Sequence, residues 1–185
     1  RLQVEHGVTE LITGIDLVEQ QIRVARGERL SFGQDDVTWT GHAIELRLCA
    51  EDPQAGFIPQ VGRVERWRPP VGIRVDAALE DGIEVTPHYD SMLGKILAWG
   101  ETRERCIATL TRACERTALL GVPTNLHFLS RCIAHPAFRA GEVTTDFLAS
   151  QNLAEDFWRP EPSVAAQIVA VLALAGLGSA KGREA

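Results

Sequence analysis

Two stretches of this chain collect residue types that can do acid–base chemistry on an anion. The first is Arg1-Leu2-Gln3-Val4-Glu5-His6, running into Val8-Thr9-Glu10. The second is Gly41-His42-Ala43-Ile44-Glu45-Leu46-Arg47-Leu48-Cys49. Both alternate polar and apolar side chains, and in a strand alternate residues face the same way. Read as strands, the first puts Arg1, Gln3 and Glu5 on one face. The second puts Glu45 and Arg47 on one face and sends Ile44, Leu46 and Leu48 towards a core. Polar faces looking into one cleft would gather two guanidiniums, two carboxylates and an amide. Such a cluster grips a small planar anion through paired hydrogen bonds and moves a proton on or off it. Alternation by itself is more often just a solvated face, so the pattern needs support from the rest of the chain.

The totals set bounds. At 185 residues, 45% hydrophobic and 24% charged, the chain is long enough for a buried core and close to the globular average. A formal charge of −6 argues against nucleic acid as a partner, because such binders carry a basic face. Cys49, Cys106, Cys114 and Cys132 form no C-x-x-C pair and show no zinc-ligand spacing with a histidine. They read as reduced thiols of a cytoplasmic protein, with no metal ligand among them. The apolar run 164–177 falls short of the ~20 residues of a membrane span and contains Gln167, so no membrane partner is expected. The chain opens at Arg1, in mid-strand by the pattern above, as a piece of a longer polypeptide would.

The elements that must position the two stretches follow in order. Thr9 to Gly14 reads as a connector. Asp16 with Glu19 is a capping-box pattern, and Leu17, Val18, Ile22 and Ala25 give a helix over 16–26 its apolar stripe. After the strand at 42–49, Asp52-Pro53 marks a turn. Residues 62–67 and 73–77 alternate as strands, Asp81-Gly82 signals a hairpin turn, and 93–99 reads as a mostly buried strand. Thr102 caps a helix over 103–118, and Thr124 caps a second with Leu126, Phe128, Leu129, Cys132 and Ile133 apolar. Residues 143–149 suit a final strand or short helix. Beyond Gln151, Trp158-Arg159-Pro160-Glu161-Pro162 is linker-like.

Four blocks in order carry a family resemblance. Arg1 to His6 with Val8-Thr9-Glu10 and Ile12-Thr13-Gly14-Ile15-Asp16-Leu17-Val18 closely resembles the catalytic segment of biotin carboxylases. Gly41 to Arg47 with Ala50-Glu51-Asp52-Pro53 resembles the next block. His88-Tyr89-Asp90-Ser91-Met92-Leu93-Gly94-Lys95 and Gly121-Val122-Pro123-Thr124-Asn125 resemble two more. Four ordered blocks over residues 1–149 are far more specific than any single short motif. Residues 135–143 and Thr145-Asp146-Phe147-Leu148 look most like α subunits of acyl-CoA carboxylases of the methylcrotonyl-CoA or propionyl-CoA type.

The resemblance implies an α+β fold, an antiparallel sheet with flanking helices, preceded by the last strand and helix of an ATP-grasp core. It divides the chain into the end of that core (1–35), a biotin carboxylase C-terminal domain (36–150), and a linker with the start of a following domain (151–185). It implies ATP-driven carboxylation of biotin by bicarbonate, the first half-reaction of an acyl-CoA carboxylase. Glu5 would deprotonate bicarbonate, which Arg1, the Gln3 side chain and the Val4 backbone N–H would hold. Arg47 would stabilise the biotin enolate and the phosphate, with Asp90 as a candidate to orient it. Glu45 is either a second orienting residue or only a cross-strand partner for an arginine. Implied partners are a biotin-carrier domain, a carboxyltransferase subunit and a second copy bound through the 64–75 stretch.

The family's phosphate loop, ATP lysines and Mg2+-binding carboxylates would lie before Arg1, so the segment alone is expected to be inactive. Two departures stand out: Gly7 replaces the usual proline, expected to loosen the turn after the catalytic strand, and Cys49 replaces a frequent asparagine. The other reading is a non-catalytic dimerisation or carrier-docking module of the same enzyme. An ATP-grasp enzyme of purine synthesis fits the blocks less well.

Overall fold

In the computed structural model, residues 1–153 are described together with Val164, Gln167, Ile168, Ala170 and Val171. Helices α1 (His6–Thr13) and α2 (Leu17–Ala25) open the chain, followed by β1 (His42–Cys49) and the short strands β2 (Glu51–Asp52), β3 (Ile58–Pro59), β4 (Gly62–Arg63) and β5 (Arg66–Arg68). Next come β6 (Arg74–Ala77), β7 (Glu84–Val85), β8 (Met92–Gly100), α3 (Arg103–Arg116) and β9 (Ala118–Leu120). Helices α4 (Leu126–Ala134), α5 (Pro136–Ala140) and α6 (Phe147–Ser150) close the described part. The linker and following-domain expectation for 151–185 falls almost wholly outside the described residues.

The frame is an antiparallel sheet in the order β1-β8-β6. Its two faces do different work because alternation separates them. Ile44, Leu46, Ile96 and Ala98 face α3, where they pack with Cys106, Ile107, Leu110 and Cys114 and with Ile133 of α4. On the other face the register aligns two rows across the three strands. Arg47 and Asp76 lie opposite Lys95, and Glu45 and Arg74 lie opposite Leu97. Helix α1 packs over this second face, against β1 and β8. Covered on both sides, β8 is buried from Gly94 to Ala98, as its near-continuous apolar sequence suggests.

Local signals account for the helix boundaries. The Asp16 carboxylate accepts from the Glu19 N–H (2.8 Å), and Thr102 Oγ1 accepts from the Arg105 N–H; both satisfy amide groups the helix itself leaves unpaired. Before α4 the cap differs from expectation: Asn125, not Thr124, is the N-cap, and its side chain makes no capping bond.

Three expectations are corrected. Residues 1–5 are not a strand, and no strand among the described residues pairs with them. The His6 N–H donates to the Gln3 carbonyl and the Val8 N–H to the Glu5 carbonyl, winding the segment into α1. Thr9 to Thr13, read as a connector, is the body of that helix. Asp81-Gly82 makes a turn but no hairpin, since β6 pairs with β8 and β7 with β4. Asp81 instead accepts from the Trp67 N–H (2.6 Å) and Arg66 (2.7 Å), which draws the loop onto β5.

Gly7 lies within a helix and not in a turn that follows a strand. It is buried in the first turn of α1, where a Cβ would overlap Leu97 Cδ2 and approach the Arg74 guanidinium and Glu45 carboxylate (both 3.6 Å). Leu97 is itself only 1% exposed, so it has little room to withdraw. Gly7→Ala is therefore expected to destabilise the fold by about 1–3 kcal/mol, as overpacking does. Urea unfolding checks this, and adding Leu97→Val should recover part of the loss.

Candidate active site

The segment that ends in Glu5 has no regular structure of its own, so its position depends on what it touches. Arg47 Nη2 donates to Glu5 Oε2 at 2.8 Å, joining the two chemistry-bearing stretches across 42 positions of sequence. The side chains of this pair are 50% and 56% exposed. Arg47 Nε also lies 3.7 Å from Glu45 Oε1. The guanidinium is thus set between one solvent-facing carboxylate and one beneath it.

Glu45 is the buried member, with a side chain only 5% exposed. Neither of its oxygens accepts a hydrogen bond among the described residues. Burial pushes its carboxyl above the usual range, although Lys95 and then Arg47 pull it back. Lys95 Nζ stands 3.8 Å from Glu45 Oε2 and 3.4 Å from Asp76 Oδ2, and it donates to the Val4 carbonyl at 2.8 Å. The Arg74 guanidinium, through its hydrogen bonds, holds the Asp76 carboxyl below its ordinary value. Arg74 Nη1 also donates to Glu10 Oε2 (2.7 Å), while Glu10 Oε1 accepts from the Leu17 N–H (2.8 Å). A chain of charges therefore runs from β1 through β8 and β6 to α1 and the start of α2.

Of the residues the sequence singled out, Glu5, Glu45 and Arg47 come together. Val4 is joined to them through Lys95 and lines a hollow of about 630 Å³ beside Arg47, Cys49, Asp90 and Met92. Asp90 shares that hollow but spends Oδ1 on the Met92 N–H (2.9 Å); Arg47 is held by its hydrogen bond to Glu5 and its ion-pair contact with Glu45. Arg1 and Gln3 are exposed, and the Gln3 carbonyl accepts from the His6 N–H and contacts His6 Nδ1 (2.8 Å). Trp99, near the end of the central strand β8, is 40% exposed, with its indole N–H donating to the Thr40 carbonyl (2.9 Å).

Asn125 was legible only as part of a motif. Its Oδ1 accepts from the Cys49 N–H (2.9 Å), its Nδ2 donates to the Arg47 carbonyl (3.1 Å), and its own N–H donates to the Cys49 carbonyl (3.1 Å). Only 7% exposed, it pins the end of β1 just beyond Arg47, where the β1–β8 register slips between Leu48 and Cys49. An asparagine before a helix ordinarily reads as a cap, which hides this use. Burial raises the Cys49 and Cys132 thiols to about 11, so neither is a thiolate near neutral pH. No group of three or more His, Cys, Asp or Glu is placed to hold a metal ion among the described residues. Among the same residues no helix is long and apolar enough to cross a membrane.

Comparison with known proteins gives the family. Residues 45–150 match the family model of the biotin carboxylase C-terminal domain. Residues 1–32 match the carbamoyl-phosphate synthase L chain, ATP binding domain. The biotin carboxylase of Nostoc sp. is 44% identical over 154 residues, 82% of this chain and 34% of that protein. The propionyl-CoA carboxylase alpha chain of Ruegeria pomeroyi is 44% identical over 173 residues, 82% of this chain and 25% of that one. The crystal structure of the biotin carboxylase domain dimer of Hydrogenobacter thermophilus 2-oxoglutarate carboxylase, in complex with MgADP, ADP and bicarbonate, superposes with a TM-score of 0.82. It is 41% identical, over 86% of this chain and 36% of that one. The chain thus spans about a third or less of these relatives. Since the first of these family models covers more than half of the sequence, and the sheet it describes carries Arg47 into contact with Glu5, the chain belongs to the biotin carboxylase C-terminal domain family.

Proposed function

We propose that this segment supplies the proton-accepting and anion-stabilising half of an ATP-dependent biotin carboxylase. The 2.8 Å contact between Glu5 and Arg47 carries this reading, because it brings a base and a bidentate cation to one point from separate elements. Glu5 accepts the proton of bicarbonate. The Val4 N–H, Arg1 and Gln3 hold that anion, the exposure of the last two side chains leaving them free to turn inward. Arg47 faces the negative charge that develops as carbon is transferred, and a guanidinium matched to such charge acts on rate and not only on binding. Glu45 and Asp90 are the supporting groups, Glu45 from beneath Arg47 and Asp90 from the rim of the hollow.

Biotin, delivered on a carrier domain, supplies the nitrogen that is carboxylated, and the hollow beside Arg47 is the space on this segment that could admit it. ATP and Mg2+ belong with sequence that the relatives have and this segment lacks: the ATP-binding model reaches only residues 1–32, and the described residues offer no metal cluster. Val18 and Ile22, one turn apart on α2, are 41% and 50% exposed, an apolar face suited to burial under the remainder of an ATP-grasp core. By the residues at 135–148, the finer assignment is the α subunit of a methylcrotonyl-CoA or propionyl-CoA carboxylase. On this reading the whole protein is cytoplasmic, pairs with a second copy, and works with a carboxyltransferase subunit.

The test is bicarbonate-dependent ATP cleavage with free biotin, comparing this segment with a chain of the relatives' full length. Turnover in the long chain alone is the expected result. Turnover in the segment alone would mean the nucleotide site is misplaced. No turnover in either would favour a docking module.

A further inference from the structure

Lys95 is the buried charge that this chemistry leaves unused. It lies on the central strand, 7% exposed, and a lysine so placed must be paired. Two of its neighbours are carboxylates, Asp76 at 3.4 Å and Glu45 at 3.8 Å. The third is not a charge: its ammonium donates to the Val4 carbonyl, 91 positions away in sequence. That carbonyl belongs to the peptide plane from which the Glu5 Cα departs. The Val4 side chain is 36% exposed, so its packing does little to anchor the backbone here.

From this arrangement we infer that Lys95 is a positioning residue for bicarbonate, holding the Val4–Glu5 peptide so that Glu5 and the Val4 N–H meet the anion beside Arg47. The inference rests on the function proposed above. Register explains why the device is compact. Lys95 and Arg47 are directly opposed on neighbouring strands, two like charges that would repel at this spacing. Glu45 lies within 4 Å of both and offsets that repulsion. One buried carboxylate thereby locates the cation that meets the developing charge and the cation that fixes the base. An ammonium suits the second task, since its three donors share a point charge among a carbonyl and two carboxylates.

The experiment uses the full-length enzyme and measures KM and kcat separately for bicarbonate and for ATP. Lys95→Met should lower kcat/KM for bicarbonate about 10- to 100-fold, the effect of misplacing a reacting group by roughly 1 Å, with KM for ATP within about twofold of the parent. Lys95→Arg, which keeps a charged donor, should recover at least part of the loss. Lys95→Met/Glu45→Gln removes the ammonium together with its buried counter-charge and carries the test if Lys95→Met does not fold; it should show the same selective loss. Unchanged bicarbonate kinetics in these variants would overturn the inference. So would a parallel loss for both substrates with a lowered melting temperature, which marks structural damage alone. Glu5→Gln, run alongside, separates the two layers. If it abolishes turnover while Lys95→Met does not, only the role of Lys95 fails; if it retains turnover, the assignment of the base fails first.

Discussion

In a chain of the relatives' full length, Glu5→Gln should cut bicarbonate-dependent ATP cleavage by about 10²- to 10⁴-fold, the usual range for removing a positioned base. The amide keeps the shape of the carboxylate and can still meet Arg47, but it accepts no proton. Stability should hardly change, because a pair this exposed contributes only about 0–1 kcal/mol. KM for ATP should stay near the parent value, since Glu5 is placed to meet the anion. Turnover within tenfold of the parent would remove Glu5 from the role of base and move the search to other groups beside the hollow.

Arg47→Ala is the second large effect, with an expected loss of about 10²- to 10³-fold in kcat, comparable to deleting a donor aimed at developing charge. Arg47→Lys should restore little of it. An ammonium on a flexible stem does not present the paired donors of a guanidinium and would sit closer to the Lys95 charge already opposite it. Measuring kcat with saturating bicarbonate and biotin separates this from weakened binding. An Arg47→Lys enzyme with full kcat would show that charge alone, without the planar fork, is enough.

Much of this site is legible in the sequence, and the parts that are not share a physical cause. The strand at 42–49 is readable because Ile44, Leu46 and Leu48 alternate with Glu45 and Arg47, and each side chain took the face that alternation assigned to it. The helices at 16–26 and 103–118 were marked by Asp16 and Thr102, which do cap α2 and α3. The opening residues misled because six alternating positions are too few to separate a strand from a turn leading into a helix. A strand also needs a neighbour that local pattern cannot supply. Lys95 stands out in the sequence only as the last residue of the block that begins at His88. Its burial depends on α1, some 80 positions earlier, lying across that face of the sheet, and the role inferred for it on a carbonyl in a segment without regular structure. Asn125 was hidden in the same way: its amide serves the backbone of β1, not the helix it precedes. Pattern shows which way a side chain points. It does not show what arrives there.

The division of β1 between an apolar face on α3 and a charged face under α1 makes the reading frame of that strand a functional quantity. Folding and chemistry share one alternation, so they cannot be edited independently. With the strand's start held in place, deleting a single residue between His42 and Glu45 would shift the phase of everything after it against β8, and a register slip by one position exchanges the faces of everything it carries. Arg47 would then point into the α3 interface and Leu46 at Glu5. Deleting two residues keeps the phase but displaces the guanidinium by roughly 7 Å along the strand, beyond reach of the base. Length changes that spare this arrangement must therefore fall in the loops, while β1 behaves like a ruler whose graduations are both the core and the proposed site.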